Sequence, residues 1–134
     1  MSVETKGDGV VKLNPDCVRD ILLEVEEGAT WERPYSYSII ENPPSRLEAY
    51  ETGEIIYHVR QCELGGYLDG YCSYLDGSFV VDGLTPKGHA FVADLRSDTV
   101  WNRTKSRAAK IGLGSLDVLK DIAAQVIAEV IKGN

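Results

Sequence analysis

Apolar residues recur at helical spacing in five stretches of this chain and condense into short β-like runs between the second and third, so the pattern alone predicts most elements. The first helix is announced by Asn14-Pro15, an N-cap followed by a residue preset for the first helical position. From there Val18, Ile21, Leu22 and Val25 mark one face, Asp20, Glu24 and Glu27 the other, over about residues 15–27. Gly28 is placed to be the left-handed residue after its end. Residues 29–50 hold three prolines and a short Tyr/Ser alternation, which predicts loop, a short strand near Tyr35–Ile40 and a helical turn at SRLEAY. Thr52 is read as the cap of a second helix, about residues 53–64, with Ile55, Val59 and Cys62 inward. Gly65-Gly66 ends it, and Tyr67 and Leu68 continue in extended form.

GYCSYL and SFVVDGL then read as two strands joined at Asp76-Gly77, a strong hairpin signal. Leu84 ends the second strand, Thr85 caps a third helix with Pro86 at its first position, and Phe91 and Leu95 point inward. A fourth helix is predicted from an Asp98 cap to Gly112, carrying Val100, Trp101 and Ile111. A fifth runs from a Ser115 cap to about Lys132. Its apolar positions, from Leu116 through Leu119, Ile122, Ala123 and Val126 to Ile131, cover so broad a face that it must be buried, in its own core or against a second copy. Helix, loop, helix, hairpin, helix is the order of a winged helix-turn-helix, so the expected fold is α+β: a flexible lead-in over 1–12, a winged-helix domain over 13–97, and a two-helix C-terminal extension over 98–134.

Composition narrows the class. With 134 residues, 43% hydrophobic and 26% charged, the chain is long enough to fold around its own core without disulfides or metal. Three cysteines, an odd number, point to a reducing compartment, and Cys17 and Cys62 read as small buried apolar side chains. No apolar run approaches the roughly 18 residues needed to cross a bilayer, so no membrane association and a cytoplasmic location are expected. The net charge of −7 is unevenly distributed: residues 1–98 hold 8 Lys/Arg against 18 Asp/Glu, residues 99–134 hold 6 against 3. Arg103, Lys105, Arg107 and Lys110 fall within eight residues.

KLNPDCVRDILLEVEE, IIYHVRQCELGGYL, GLTPKGHAFVADLRSDTVWNRTK and IGLGSLDVLKDIA together resemble the bacterial and prophage family known as domain of unknown function 2513. The resemblance implies this architecture and a mobile-element context. It supplies no catalytic residues.

The helix before a wing is the one that usually enters the major groove. With Ile55, Val59 and Cys62 inward, its outward residues are Glu54, Tyr57, His58, Arg60 and Gln61. Arg60 can read guanine, Gln61 adenine, and Tyr57 can reach a phosphate, with Arg103, Lys105, Arg107 and Lys110 as backbone contacts to double-stranded DNA. Against this, Glu51, Glu54 and Glu63 surround the helix, and the wing tip adds Asp76 and no lysine. The competing class is a protein partner docked on an acidic surface formed by Glu51, Glu54, His58 and Asp76. Enzymatic readings are weaker. His58 and Cys62 lack a second pair of metal ligands, His89 lacks a companion nucleophile, and GLGS lacks the rest of a phosphate loop. The expectation is a non-enzymatic binding protein without metal or cofactor, with a homodimer through the C-terminal helix as one use of its apolar face.

Overall fold

A computed structural model describes residues 12–38, 40 and 46–133. It is a mixed α+β structure with five α-helices and a small antiparallel sheet among those residues. The lead-in, apart from Lys12, lies outside the described residues.

Helix α1, Pro15–Gly28, starts as its sequence dictates: the Asn14 side chain accepts hydrogen bonds from the Asp16 and Cys17 amides. Its apolar face, Cys17, Val18, Ile21, Leu22, Leu23 and Val25, is buried. The end differs from expectation. Gly28 is the last helical residue, and the chain leaves through Ala29 in extended conformation. Glycine is needed there for space, because a Cβ would stand 2.6 Å from Cδ1 of Tyr35. Strand β1 is Tyr35–Tyr37, and a 3₁₀ turn follows at Arg46–Ala49. Arg46 ties that turn to α1 by forking onto Glu24 at 2.6 Å and Glu27 at 2.8 Å.

Helix α2 spans Thr52–Leu64. Glu51 occupies its N-cap position without a side-chain bond, so Thr52 is the first helical residue and not the cap. Beyond the Gly65-Gly66 turn the chain makes one excursion that pairs twice on its way out and back. Near its base β2, Leu68–Asp69, pairs with β5, Gly83–Leu84. Farther out β3, Cys72–Ser73, pairs with β4, Phe79–Val81, and β1 adds to the far side of β4, giving the order β1-β4-β3. The turn is longer than the Asp76-Gly77 pair predicted. Tyr74 N–H donates to Ser78 O and Gly77 N–H to Tyr74 O, leaving a three-residue loop whose Gly77 has φ +92°.

Helices α3, Pro86–Leu95, α4, Asp98–Ile111, and α5, Leu116–Ile131, complete the chain. Thr85 and Ser115 cap α3 and α5 as predicted. The α4 cap is Ser97, whose hydroxyl accepts from Val100 N–H, one residue before the Asp98 expected. Leu116, Leu119, Ile122, Ala123 and Val126 of α5 are buried within one cluster with α1, α3 and α4, so most of its apolar face is covered by its own chain. Val130 and Ile131 stay exposed. The Cys17 and Cys62 thiols are fully buried, as predicted, and burial pushes Cys62 up to about 12 and Cys17 up as well, which keeps both protonated and unreactive.

Asn14→Ala tests how far one cap organises this end of the molecule. A cap alone is worth about 1 kcal/mol, but the Asn14 amide nitrogen also donates to Glu54 on α2 at 2.9 Å. A loss of about 2 kcal/mol in a urea titration is expected, with the slope unchanged.

Candidate nucleic-acid interface

Helix α2 buries Ile55, His58, Val59 and Cys62. The helical period then turns Gly53, Tyr57, Arg60, Gln61 and Leu64 away from the core. Arg60 and Leu64 are exposed; Tyr57 and Gln61 are half-buried. Arg60 is not idle, since its Nη1 lies 3.0 Å from Oε1 of Glu63 one turn on. Tyr57 and Gln61 line a hollow of about 320 Å³ with Leu13, Leu64 and the start of α5 at Ser115 and Leu116. One flank of the outward face is therefore a groove beside the α4–α5 connection.

His58 contradicts its expected outward placement. It is 0% exposed, with Nδ1 2.8 Å from Glu54 O and Nε2 2.9 Å from Asn14 N. The amide must donate, so Nε2 accepts and Nδ1 carries the proton, an arrangement the neutral ring provides. His58 is a joint between the α1 cap and α2 and belongs to no interaction surface. Glu54 is likewise half-buried and engaged by Asn14, leaving Glu51 as the exposed carboxylate before the helix. At the hairpin tip the Asp76 carboxylate accepts from Ser78 N–H at 2.9 Å and Ser78 O–H at 2.5 Å, and the hydroxyl bond foremost holds it below the usual carboxylate range. Beside it Tyr74 and Leu75 are exposed.

The four cations that adjoin in sequence divide between two flanks of α4. Lys105 turns to α1, with Nζ 3.1 Å from Asp16 Oδ1 and above the Trp101 ring. Arg107 turns to α5, forking onto both Glu129 oxygens at 2.9 Å and lowering that carboxyl. Arg103 and Lys110 are exposed residues of α4, on the Arg107 side by the helical period. Lys105 lines a second hollow of about 400 Å³, and Leu13 borders both this hollow and the one containing Tyr57 and Gln61. The structure thus brings Tyr57, Gln61 and Lys105 to neighbouring hollows and sends Arg107 elsewhere.

Two blocks within GLTPKGHAFVADLRSDTVWNRTK are joints. In LTPKG, the Thr85 hydroxyl donates to Gly66 O at 2.5 Å and accepts from Gly88 N–H at 3.0 Å. Lys87 donates to Gly65 O at 2.9 Å, pairs with Asp117 at 3.1 Å and lies over the Tyr67 ring. The Tyr67 hydroxyl donates to Asp117 at 2.5 Å. That bond, ahead of Lys87, lowers the Asp117 carboxyl, while burial foremost raises Tyr67, so the proton stays on the phenol. In DTVWNRTK, the Trp101 indole N–H donates to Asp16 at 2.9 Å, and the buried Thr104 hydroxyl bonds back to Val100 O. Arg19 reaches across from α1 to Leu95 O, Arg96 O and Asp98. Sequence reasoning had no signal for most of these partners, which lie far apart along the chain.

Among the described residues no group of three or more His, Cys, Asp and Glu side chains is arranged to hold a metal ion, and no helix is long and apolar enough to cross a membrane.

Comparison with known proteins agrees with the resemblance noted from the motifs. A relative in Haemophilus influenzae, named only as an uncharacterized protein, is 27% identical over 124 residues, covering 90% of this chain and 99% of the relative. No solved structure matches. The sequence profile of the family described as "Hypothetical protein (DUF2513)" matches residues 12–114, which includes every element from α1 to α4, and the chain belongs to that family.

Proposed function

We propose that this protein is a non-enzymatic winged-helix protein of the phage or mobile-element type, working in the cytoplasm as a regulatory or accessory factor that binds double-stranded DNA through α2. The observation that carries the reading is the sheet order β1-β4-β3, with the strand between α1 and α2 paired to the returning strand of the hairpin. In a winged helix this arrangement supports the helix immediately before the hairpin as the one presented to a ligand. Here that helix offers Tyr57, Arg60 and Gln61, with Lys105 beyond Leu13. Binding requires Arg60 to exchange Glu63 for a phosphate or a guanine edge. An exposed pair of this kind is held by at most about 1 kcal/mol, so the exchange is inexpensive. A homodimer, if formed through α5, would use its last turn, Val130 and Ile131.

A second reading has its own support. Arg60, Lys105 and Arg107 all have carboxylate partners within the chain, Leu64 is exposed at the end of α2, and Tyr74 and Leu75 are exposed beside Asp76 at the hairpin tip. Apolar anchors among carboxylates suit a protein partner with a basic surface better than a phosphate backbone.

Fluorescence anisotropy with mixed-sequence duplex DNA separates the two. The DNA reading expects binding at low salt that weakens steeply towards physiological salt. Arg60→Gln should reduce affinity about tenfold or more, and Lys105→Gln should reduce the salt slope by about one. No binding at low salt would sink the DNA reading and leave the protein partner.

A further inference from the structure

At the far end of α1 from Asn14, the turn between α1 and β1 holds one side chain almost entirely in solvent: Trp31 is 94% exposed. The turn itself is firmly built. Thr30 and Arg33 exchange backbone hydrogen bonds at 2.8 and 3.2 Å, and the Thr30 hydroxyl accepts from the Glu32 and Arg33 amides. An exposed indole on a fixed turn is presented, since burying it elsewhere would remove about 150–250 Å² from water.

Beside it is a hollow of about 260 Å³, lined on the apolar side by Val25, Ala29 and Leu84 and otherwise by Trp31, His89 and two carboxylates. One of these, Glu26, is already matched by Arg96 at 2.7 Å. The other, Asp82, has no ion-pair partner among the described residues within 4 Å, and its carboxylate packs against Gly70. Asp82 also lines the adjoining hollow under Thr30–Pro34, so the indole and this carboxylate border the same continuous recess. Glu32 and Arg33 line this second hollow as well.

We propose that this recess is a docking site for a cationic side chain, arginine or lysine, on a basic segment of a protein partner. The chemistry is complementary part by part. An aliphatic stem lies along Val25, Ala29 and Leu84, as long basic side chains do on apolar surface. The cationic head meets the Asp82 carboxylate and the face of Trp31, where carboxylate and ring attract it together. The charge balance of residues 1–98, 8 cations against 18 carboxylates, draws a basic segment to this half of the chain. This surface is separate from α2, so it adds a partner to the proposed DNA contact and does not depend on it.

The test is an NMR titration of the full ¹⁵N-labelled chain with acetyl-Gly-Arg-Gly-amide, against the glutamine counterpart acetyl-Gly-Gln-Gly-amide. The expected result is movement of the Trp31 indole signal and the amides of 29–31 and 82–84, with the Trp101 indole unmoved. Trp31→Ala and Asp82→Asn should each weaken the arginine peptide about fivefold or more. Both positions are exposed, and unchanged spectra elsewhere confirm folding. Equal response to the glutamine peptide, shifts spread over carboxylates across the whole surface, or unaltered affinity in both variants would each overturn the proposal.

Discussion

Gly88→Ala is expected to destabilise the protein by about 3 kcal/mol or more and to lower its thermal midpoint by about 10 °C. A Cβ at position 88 would stand 2.2 Å from Tyr67 O and 3.1 Å from Tyr67 C. Both are backbone atoms, so no side chain can rotate out of the way. Nor can Tyr67 retreat, because its carbonyl accepts from Thr85 N–H, its ring is fully buried against Phe91, and its hydroxyl is held by Asp117. Moving α3 outward instead would stretch the Thr85 and Lys87 bonds to Gly66 and Gly65. Gly53→Ala is the matched control. That glycine is helical and exposed, and a Cβ there meets nothing within 4 Å. The same substitution should therefore stabilise by about 0.5–1 kcal/mol. Differential scanning calorimetry of the two variants reads both signs, and a Gly88→Ala midpoint within a degree or so of the parent would refute the close approach.

The second large effect is expected at His58. Replacing it with phenylalanine keeps a flat ring in the site but removes both polar atoms. Asn14 N–H loses its acceptor at a place from which water is excluded, and the Glu54 carbonyl loses a donor. The loss should be about 2–4 kcal/mol, most of it the orphaned donor and the ring atoms forced into a slot shaped for imidazole. His58 and Asn14 act as one unit, so the double variant His58→Phe with Asn14→Ala should lose clearly less than the sum of the singles. Urea titrations of the four proteins in that cycle measure it. Strict additivity would mean that the joint between α1 and α2 does not exist.

The helices were legible because their signals are local: an Asn-Pro or Thr-Pro start, a 3.6-residue apolar period, a glycine stop. Burial of α5 was legible from the width of its apolar face, though not whether its own chain or a second copy would cover it. What escaped were features set by distant residues. His58 falls on the edge of the buried arc of α2, and only Asn14, 44 residues earlier, makes an inside position tolerable for it. The basic cluster read as one patch because the residues adjoin in sequence, yet Asp16 and Glu129 draw two of them to opposite flanks of α4. Choosing Ser97 over Asp98 as the cap is a one-residue difference between two good capping types. The Asp-Gly signal located the hairpin correctly but not its length, since the same glycine serves a two-residue turn or the bulge position of a longer one. Trp31 gave no periodic signal at all, and its exposure became visible only in three dimensions.

The contact between Asp16 and the Trp101–Lys105 face of α4 spans 85 to 89 residues. Synthesis proceeds from the N-terminus, so α1 leaves the ribosome long before the side chains that complete its surroundings exist. Contacts of such separation come late in folding, because a long loop must close before they form. Until α4 and α5 emerge, the apolar seam they cover on α1 and α3 stays open to chaperones and proteases. The product of a chain stopped after Ser97 should thus be a short-lived intermediate and not a smaller folded domain.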